Sequence, residues 1–100
     1  MDGFRVQATG PSALRLVGDL DLLAAEELGK VLLPMCEVAG AVVELDLRDV
    51  SFVDSTGIAL LLRAHRRADE HGARLLVAAP APAVERVLHA TGADEILHLG

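Results

Sequence analysis

Two hydrophobic periods alternate along this chain, one of two residues and one close to 3.6. In residues 41–47, valine and leucine alternate with Glu44 and Asp46, which predicts a strand with one buried face. Shorter apolar runs predict further strands over residues 4–8, 13–20, 74–79 and 95–99. Because charged residues such as Arg15 and Arg74 interrupt these runs, we expect one face of the sheet to stay open to solvent.

Three segments between the strands have the apolar spacing of helices. They are residues 23–39, residues 55–71, and a third helix that begins at Pro82 and ends at Gly92. Pro34 lies inside the first helix, where we expect a kink or a break. The order β-β-α-β-α-β-α-β predicts an α/β domain over residues 1–100. We expect a mixed four- to five-stranded sheet whose later strands are parallel and whose helices lie mainly on one face.

The amino-acid composition limits what the core is built from and which kinds of partner the protein can bind. Hydrophobic residues make up 52% of the chain, but the only aromatic ones are Phe4 and Phe52, so the core must be aliphatic. The net charge of −6, with no Lys/Arg run and no aromatic stacking set, argues against nucleic acid binding. The acidic excess is concentrated in residues 1–50 and favours a mildly basic partner for that half.

The sequence also indicates a compartment. Cys36 is the only cysteine, so an internal disulfide is excluded, and we expect a buried free thiol in a reducing cytoplasm. No apolar run approaches the roughly 20 residues of a membrane span. The first residues lack the charged and apolar regions of a signal peptide. We therefore predict a cytoplasmic protein that does not insert into membranes.

The junction between an apolar run and a helix, within residues 50–62, holds the candidate chemistry. Ser55 and Thr56 lie where free backbone N–H groups and the positive end of the helix dipole meet. A hydroxyl there can cap the helix, or it can carry a phosphate that the helix end would hold. Gly57 lowers helix stability by about 1 kcal/mol but allows another surface to approach closely. Asp54 can accept hydrogen bonds from both hydroxyls.

This motif, residues 54–58 after an apolar strand, resembles the signature of STAS domains, named for sulfate transporters and anti-sigma factor antagonists. Four further segments fit the same family and extend the resemblance over residues 4–99: residues 18–21, residues 75–77, residues 84–88, and Thr91 with Gly92. The family fold is a β-α succession with helices on one side of the sheet, which agrees with the pattern above.

The resemblance implies a partner switch of the kind formed by anti-sigma factor antagonists similar to SpoIIAA. Such proteins bind an anti-sigma factor that is also a serine/threonine kinase and thereby release a sigma factor. The kinase inactivates them by phosphorylating the hydroxyl residue directly before the glycine, and a PP2C-type phosphatase reverses this. That position is Thr56, with Ser55 as second choice for phosphorylation and first choice for the cap. The implied partner-binding residues are Asp21, Asp54, Ser55, Thr56, Gly57 and Ile58.

No catalytic residues, metal site or cofactor are expected, because no other constellation suggests chemistry. The four histidines are scattered and are predicted to be surface or half-buried residues rather than ligands. Arg63, Arg66 and Arg67 form either a solvated helix face or a contact surface for a partner. Exposed apolar residues near Ile96 could favour a homodimer.

One alternative function stays open, since small STAS proteins also serve as cytoplasmic accessory subunits of lipid-transport ABC systems. The three leucines at positions 60–62 are compatible with that role, in which the hydroxyl need not be phosphorylated.

Overall fold

The computed structural model describes residues 3–100, which form a sheet and helices in the predicted order. The elements are β1 (Arg5–Gly10), β2 (Ala13–Leu20), α1 (Leu22–Met35), β3 (Val42–Val53), α2 (Ser55–Glu70), β4 (Arg74–Ala78), α3 (Pro82–Ala90), a 3₁₀ helix (Ala93–Glu95) and β5 (His98–Leu99).

The sheet has five strands in the order β1-β2-β3-β4-β5. β1 and β2 form an antiparallel hairpin, whereas β2, β3, β4 and β5 are successively parallel. The predicted mixed sheet and the parallel arrangement of its later strands are therefore confirmed. All parallel strands end at the same edge, which is where α1 and α2 begin.

One face of the sheet carries the core and the other is partly exposed. Val43, Leu45 and Leu47 of β3 are fully buried, while Glu44 between them is exposed. On the open face, Arg15 Nε donates to Asp49 Oδ2 at 2.7 Å. The largest fully buried side chains are all aliphatic: Leu16, Leu20, Leu28, Leu32, Leu45, Leu47, Leu61, Leu75, Leu88, Val43, Val50 and Val77.

β3 is longer than predicted, because the strand expected over residues 41–47 continues to Val53. Its register with β2 shifts between Asp46 and Asp49, which indicates a bulge. The Arg48 N–H donates to Asp46 Oδ1 at 2.9 Å within this bulge. The charged residues around the bulge therefore interrupt the pairing of β3 with β2 only locally.

Two other boundaries were also wrong. The first helix ends at Met35 instead of residue 39. Pro34 lies in its last turn, so the helix ends directly after the proline, which agrees with the expected break rather than with a kink. The strand expected over residues 95–99 is reduced to His98 and Leu99, because Ala93–Glu95 forms a 3₁₀ helix.

Cys36 is a buried free thiol, as predicted. Among residues 3–100, no helix is long and apolar enough to cross a membrane.

Candidate functional site

The site forms where two neighbouring parallel strands, β2 and β3, end side by side. Leu20, the last residue of β2, pairs with Val53, the last residue of β3. The Asp54 N–H donates to the Leu20 carbonyl oxygen at 3.3 Å. Asp21 and Asp54 each follow directly, and each is the N-cap of the helix that comes next. The fold thus brings together two aspartates that are 33 positions apart in the sequence.

Asp54 caps α2 through one carboxylate oxygen. Its Oδ1 accepts hydrogen bonds from the backbone N–H groups of Thr56 and Gly57, both at 3.0 Å, and from the Thr56 hydroxyl at 2.5 Å. The assignment of Ser55 as the cap was therefore wrong, since Ser55 is the first residue inside the helix. A carboxylate can take the cap because it accepts several bonds at once and its charge suits the helix N-terminus.

These donors shift the acidity of Asp54. The hydrogen bond from the Thr56 hydroxyl, followed by that from the Gly57 backbone, lowers the pKa of Asp54 below its ordinary value. Both bonds favour the ionised carboxylate because it is the stronger acceptor. At neutral pH the site therefore holds a full negative charge within hydrogen-bond distance of the Thr56 hydroxyl.

The two hydroxyls of the motif have different surroundings. The Ser55 side chain is exposed, whereas Thr56 is half-buried and bound to Asp54. Either oxygen could be esterified with phosphate, but only at Thr56 would the ester replace an existing hydrogen bond. A phosphate there would add about −1.5 to −2 charges next to the Asp54 carboxylate.

Gly57 and Ile58 lie beneath this surface. A Cβ atom on Gly57 would come within 2.6 Å of the Leu20 carbonyl oxygen and 2.7 Å of Val53 Cγ2. The surface that Gly57 allows to approach is therefore the chain's own β2 end. Ile58 is only 6% exposed. These two residues position the motif, and Asp21, Asp54, Ser55 and Thr56 are left as the candidates for direct contact with a partner.

Large apolar side chains surround the site, and sequence reasoning missed them. Leu22 is 54% exposed, Leu23 is 71% exposed, and Phe52, just before the motif, is 51% exposed. The two leucines directly after Asp21, at the predicted start of a helix, are the sequence signal that could have indicated them, because acidic residues are enriched in the first turn of helices. On the side of α1 towards β1, Asp19, Asp21 and Glu27 line an acidic pocket.

An apolar groove runs from Thr56 along the other side of α1. It lies between α1 and α2, has a volume of about 640 Å³, and contains Gly29, Leu33 and Leu60 among its lining residues. The groove and the acidic pocket thus flank the first turn of α1 on its two sides.

Two histidines, His65 and His89, have acidic neighbours that the sequence did not predict, and His89 Nδ1 is 2.9 Å from Asp94 Oδ2. His65 lies 5.2 Å from His98 between ring centroids, and its Nε2 is 3.4 Å from Asp69 Oδ2. No cluster of three or more metal-ligating side chains occurs within residues 3–100.

Comparison with known proteins places these features in a family. The family model described as "Mlab, STAS domain" matches residues 4–99. The anti-sigma-B factor antagonist of Staphylococcus epidermidis is 27% identical over 86 residues, which cover 86% of this chain and 80% of that protein.

Solved structures show the same fold. An anti-sigma factor antagonist from Mycobacterium paratuberculosis superposes with a TM-score of 0.78 at 22% identity, covering 96% of this chain and 82% of that one. The unphosphorylated form of the anti-sigma factor antagonist SpoIIAA gives a TM-score of 0.73 at 19% identity, over 98% of this chain and 88% of that one. Its phosphorylated form from Bacillus gives 0.66 at 19% identity, over 98% and 91%. The chain therefore belongs to the STAS domain family and has its five-stranded mixed sheet with three helices.

Proposed function

We propose that this protein is an anti-sigma factor antagonist that binds an anti-sigma factor with serine/threonine kinase activity in the bacterial cytoplasm, and that phosphorylation of Thr56 ends this binding. The observation that carries the proposal is the half-buried Thr56 hydroxyl, held by Asp54 at the N-terminus of α2. The similarity to anti-sigma factor antagonists supports the class of partner.

The switch needs no chemistry from this chain. The kinase transfers a phosphoryl group from ATP to the Thr56 hydroxyl oxygen, and a PP2C-type phosphatase removes it. After transfer the oxygen can no longer donate to Asp54, so two negative groups replace one hydrogen-bonded pair. Their repulsion, together with Asp21 close by, would disfavour a partner packed against this surface.

The direct test is to incubate the protein with its candidate anti-sigma kinase and ATP, and to map any phosphate by mass spectrometry. We expect phosphate on Thr56 in the wild type and none in Thr56→Val, with Ser55→Ala still phosphorylated as the matched control. Phosphate on Ser55 in the wild type, or undiminished labelling of Thr56→Val, would contradict the assignment of Thr56.

A second candidate is the accessory subunit of a lipid-transport ABC system. The apolar groove beside Thr56 favours it, since a transporter subunit could be held there without phosphate. Co-purification separates the two functions: an ABC ATPase recovered with the chain supports the transporter role, and a kinase supports the switch.

A further inference from the structure

The groove between α1 and α2 is lined by a glycine, Gly29, that the packing of the fold does not require. Gly29 lies in the middle of α1, where glycine lowers helix stability by about 1 kcal/mol relative to alanine. It has no unusual backbone angle, and the nearest atom to a Cβ built there is Leu60 Cδ1 at 3.4 Å. An alanine would therefore fit. Gly57, in contrast, is required by contacts under 3.0 Å.

The charges at the rim of the groove differ from those of the whole chain. The protein carries a net charge of −6. Lys30 and Arg63 both line the groove and are both exposed. Among residues 3–100, neither has a carboxylate within 4 Å. One acid, Glu26, lines the groove as well. Two cations thus stand at the rim of an apolar groove on an otherwise acidic protein.

The open, elongated shape of the groove suits a helix. It is open along the surface, and its α1 wall extends from Leu22 to Leu33. At 1.5 Å per residue these 11 steps span about 16 Å, the length of three helical turns. Amphipathic helices bind in such grooves through apolar residues spaced three and four apart.

We propose that this groove binds an amphipathic helix of the partner protein, with an apolar stripe against Gly29 and Leu60 and acidic side chains facing Lys30 and Arg63. Thr56 lies at the end of the groove where α2 begins. A phosphate on Thr56 would place its charge at this opening and repel an acidic helix. The identity of the partner rests on the proposed function, but the chemistry of the groove does not.

The test uses two labelled 14-residue peptides with the same leucine stripe, one flanked by glutamates and the other by lysines. We expect fluorescence anisotropy at about 0.1 M salt to show the glutamate peptide binding at least tenfold more tightly than the lysine peptide. The double variant Lys30→Glu/Arg63→Glu should reverse this preference. The matched control Arg74→Glu/Arg86→Glu changes the same number of exposed charges outside the groove. It should leave the ratio of the two peptide affinities within twofold of that of the wild type.

A second variant tests the apolar part without loss of folding. Ala59 is exposed and lines the groove, so Ala59→Gln should fold normally yet weaken the glutamate peptide at least tenfold. Equal binding of the two peptides, or binding that Ala59→Gln leaves unchanged, would overturn the proposal. So would a concentration-dependent dimer that Ala59→Gln abolishes, because the occupant would then be a second copy of this chain.

The same variants separate the groove from the proposed function. If wild type and all variants bind the kinase equally well, the groove is not the docking site, although the switch stands. If wild type fails to bind the kinase but retains the peptide preference, the proposed function fails and the groove proposal is supported.

Discussion

At the scale of single residues, the contact between Thr56 and Asp54 is the part of the site that a phosphate would change most. Asp54 accepts three hydrogen bonds, and only the one from the Thr56 hydroxyl depends on a side chain. Esterification removes that donor but leaves both backbone donors in place. The cap of α2 should therefore persist while the surface above it becomes more negative.

We predict that Thr56→Asp weakens binding to the partner kinase at least tenfold, since juxtaposed like charges at an interface are costly. The melting temperature should shift by no more than about 4 °C, because charge at the helix N-terminus is favourable and offsets the repulsion by Asp54. Isothermal titration and calorimetry measure the two quantities.

Two variants serve as controls for that substitution. Ser55→Asp adds the same charge one residue away on an exposed side chain, and Thr56→Asn has nearly the same shape as aspartate without the charge. We expect both to weaken binding less than Thr56→Asp. Tight binding of Thr56→Asp to the kinase would show that charge at this position does not control the partner.

We also predict that Thr56→Val raises the pKa of Asp54 towards its ordinary value, because the hydroxyl hydrogen bond is the largest cause of its lowering. A lowered folded-state pKa stabilises the fold above the unfolded value of 3.8, and this contribution is lost as the pH falls through the folded value. The difference in unfolding free energy between wild type and Thr56→Val should therefore be fully present above pH 3.8 and shrink as the pH falls below it. Carboxyl ¹³C NMR titration of Asp54 gives the pKa, and an unchanged value would contradict this origin.

At the scale of elements, each of the first two helices contains one interior glycine, and the two glycines have opposite surroundings. We predict that Gly57→Ala in α2 lowers the unfolding free energy by about 1–3 kcal/mol, because its Cβ would overlap Leu20 and Val53. The matched substitution Gly29→Ala in α1 should raise it by about 0.5–1 kcal/mol through helix propensity. Urea unfolding of both variants measures this, and a stable Gly57→Ala would mean that β2 can move away.

The elements also show how far the sequence could predict the structure. Alternation in β3 and the apolar spacing of α2 are local properties, so the order and type of the long elements were predictable. The bulge at Asp46 depends on the register with β2, which local periodicity does not contain. The cap of α2 is local, since the Asp54 carboxylate accepts its hydrogen bonds from Thr56 and Gly57, but the neighbouring Ser55 hydroxyl offered a competing cap in the sequence. The groove at Gly29 depends on how two helices pack. The motif was therefore found from sequence, but its cap and its surroundings were not.

At the scale of the whole molecule, one aliphatic core joins all three helices to the sheet, and Cys36 is part of it. Cys36 is fully buried, and burial raises the pKa of its thiol, so the reactive thiolate is scarce in the native state. Labelling of Cys36 should then require unfolding of the whole domain. The labelling rate of Cys36 can therefore report the global stability of the domain.

We predict that Leu45→Ala, in the centre of the sheet, accelerates labelling of Cys36 by a thiol reagent about 30-fold or more. Removing a fully buried leucine lowers the unfolding free energy by about 2–5 kcal/mol, and each 1.4 kcal/mol changes the open population tenfold. Val31→Ala is the control, since Val31 lies on α1 close to Cys36 but is 44% exposed. If Leu45→Ala and wild type are labelled at the same rate, Cys36 becomes accessible by local fraying at the end of α1. The α1 wall of the groove would then open independently of the sheet, and a docked helix would have to hold it closed.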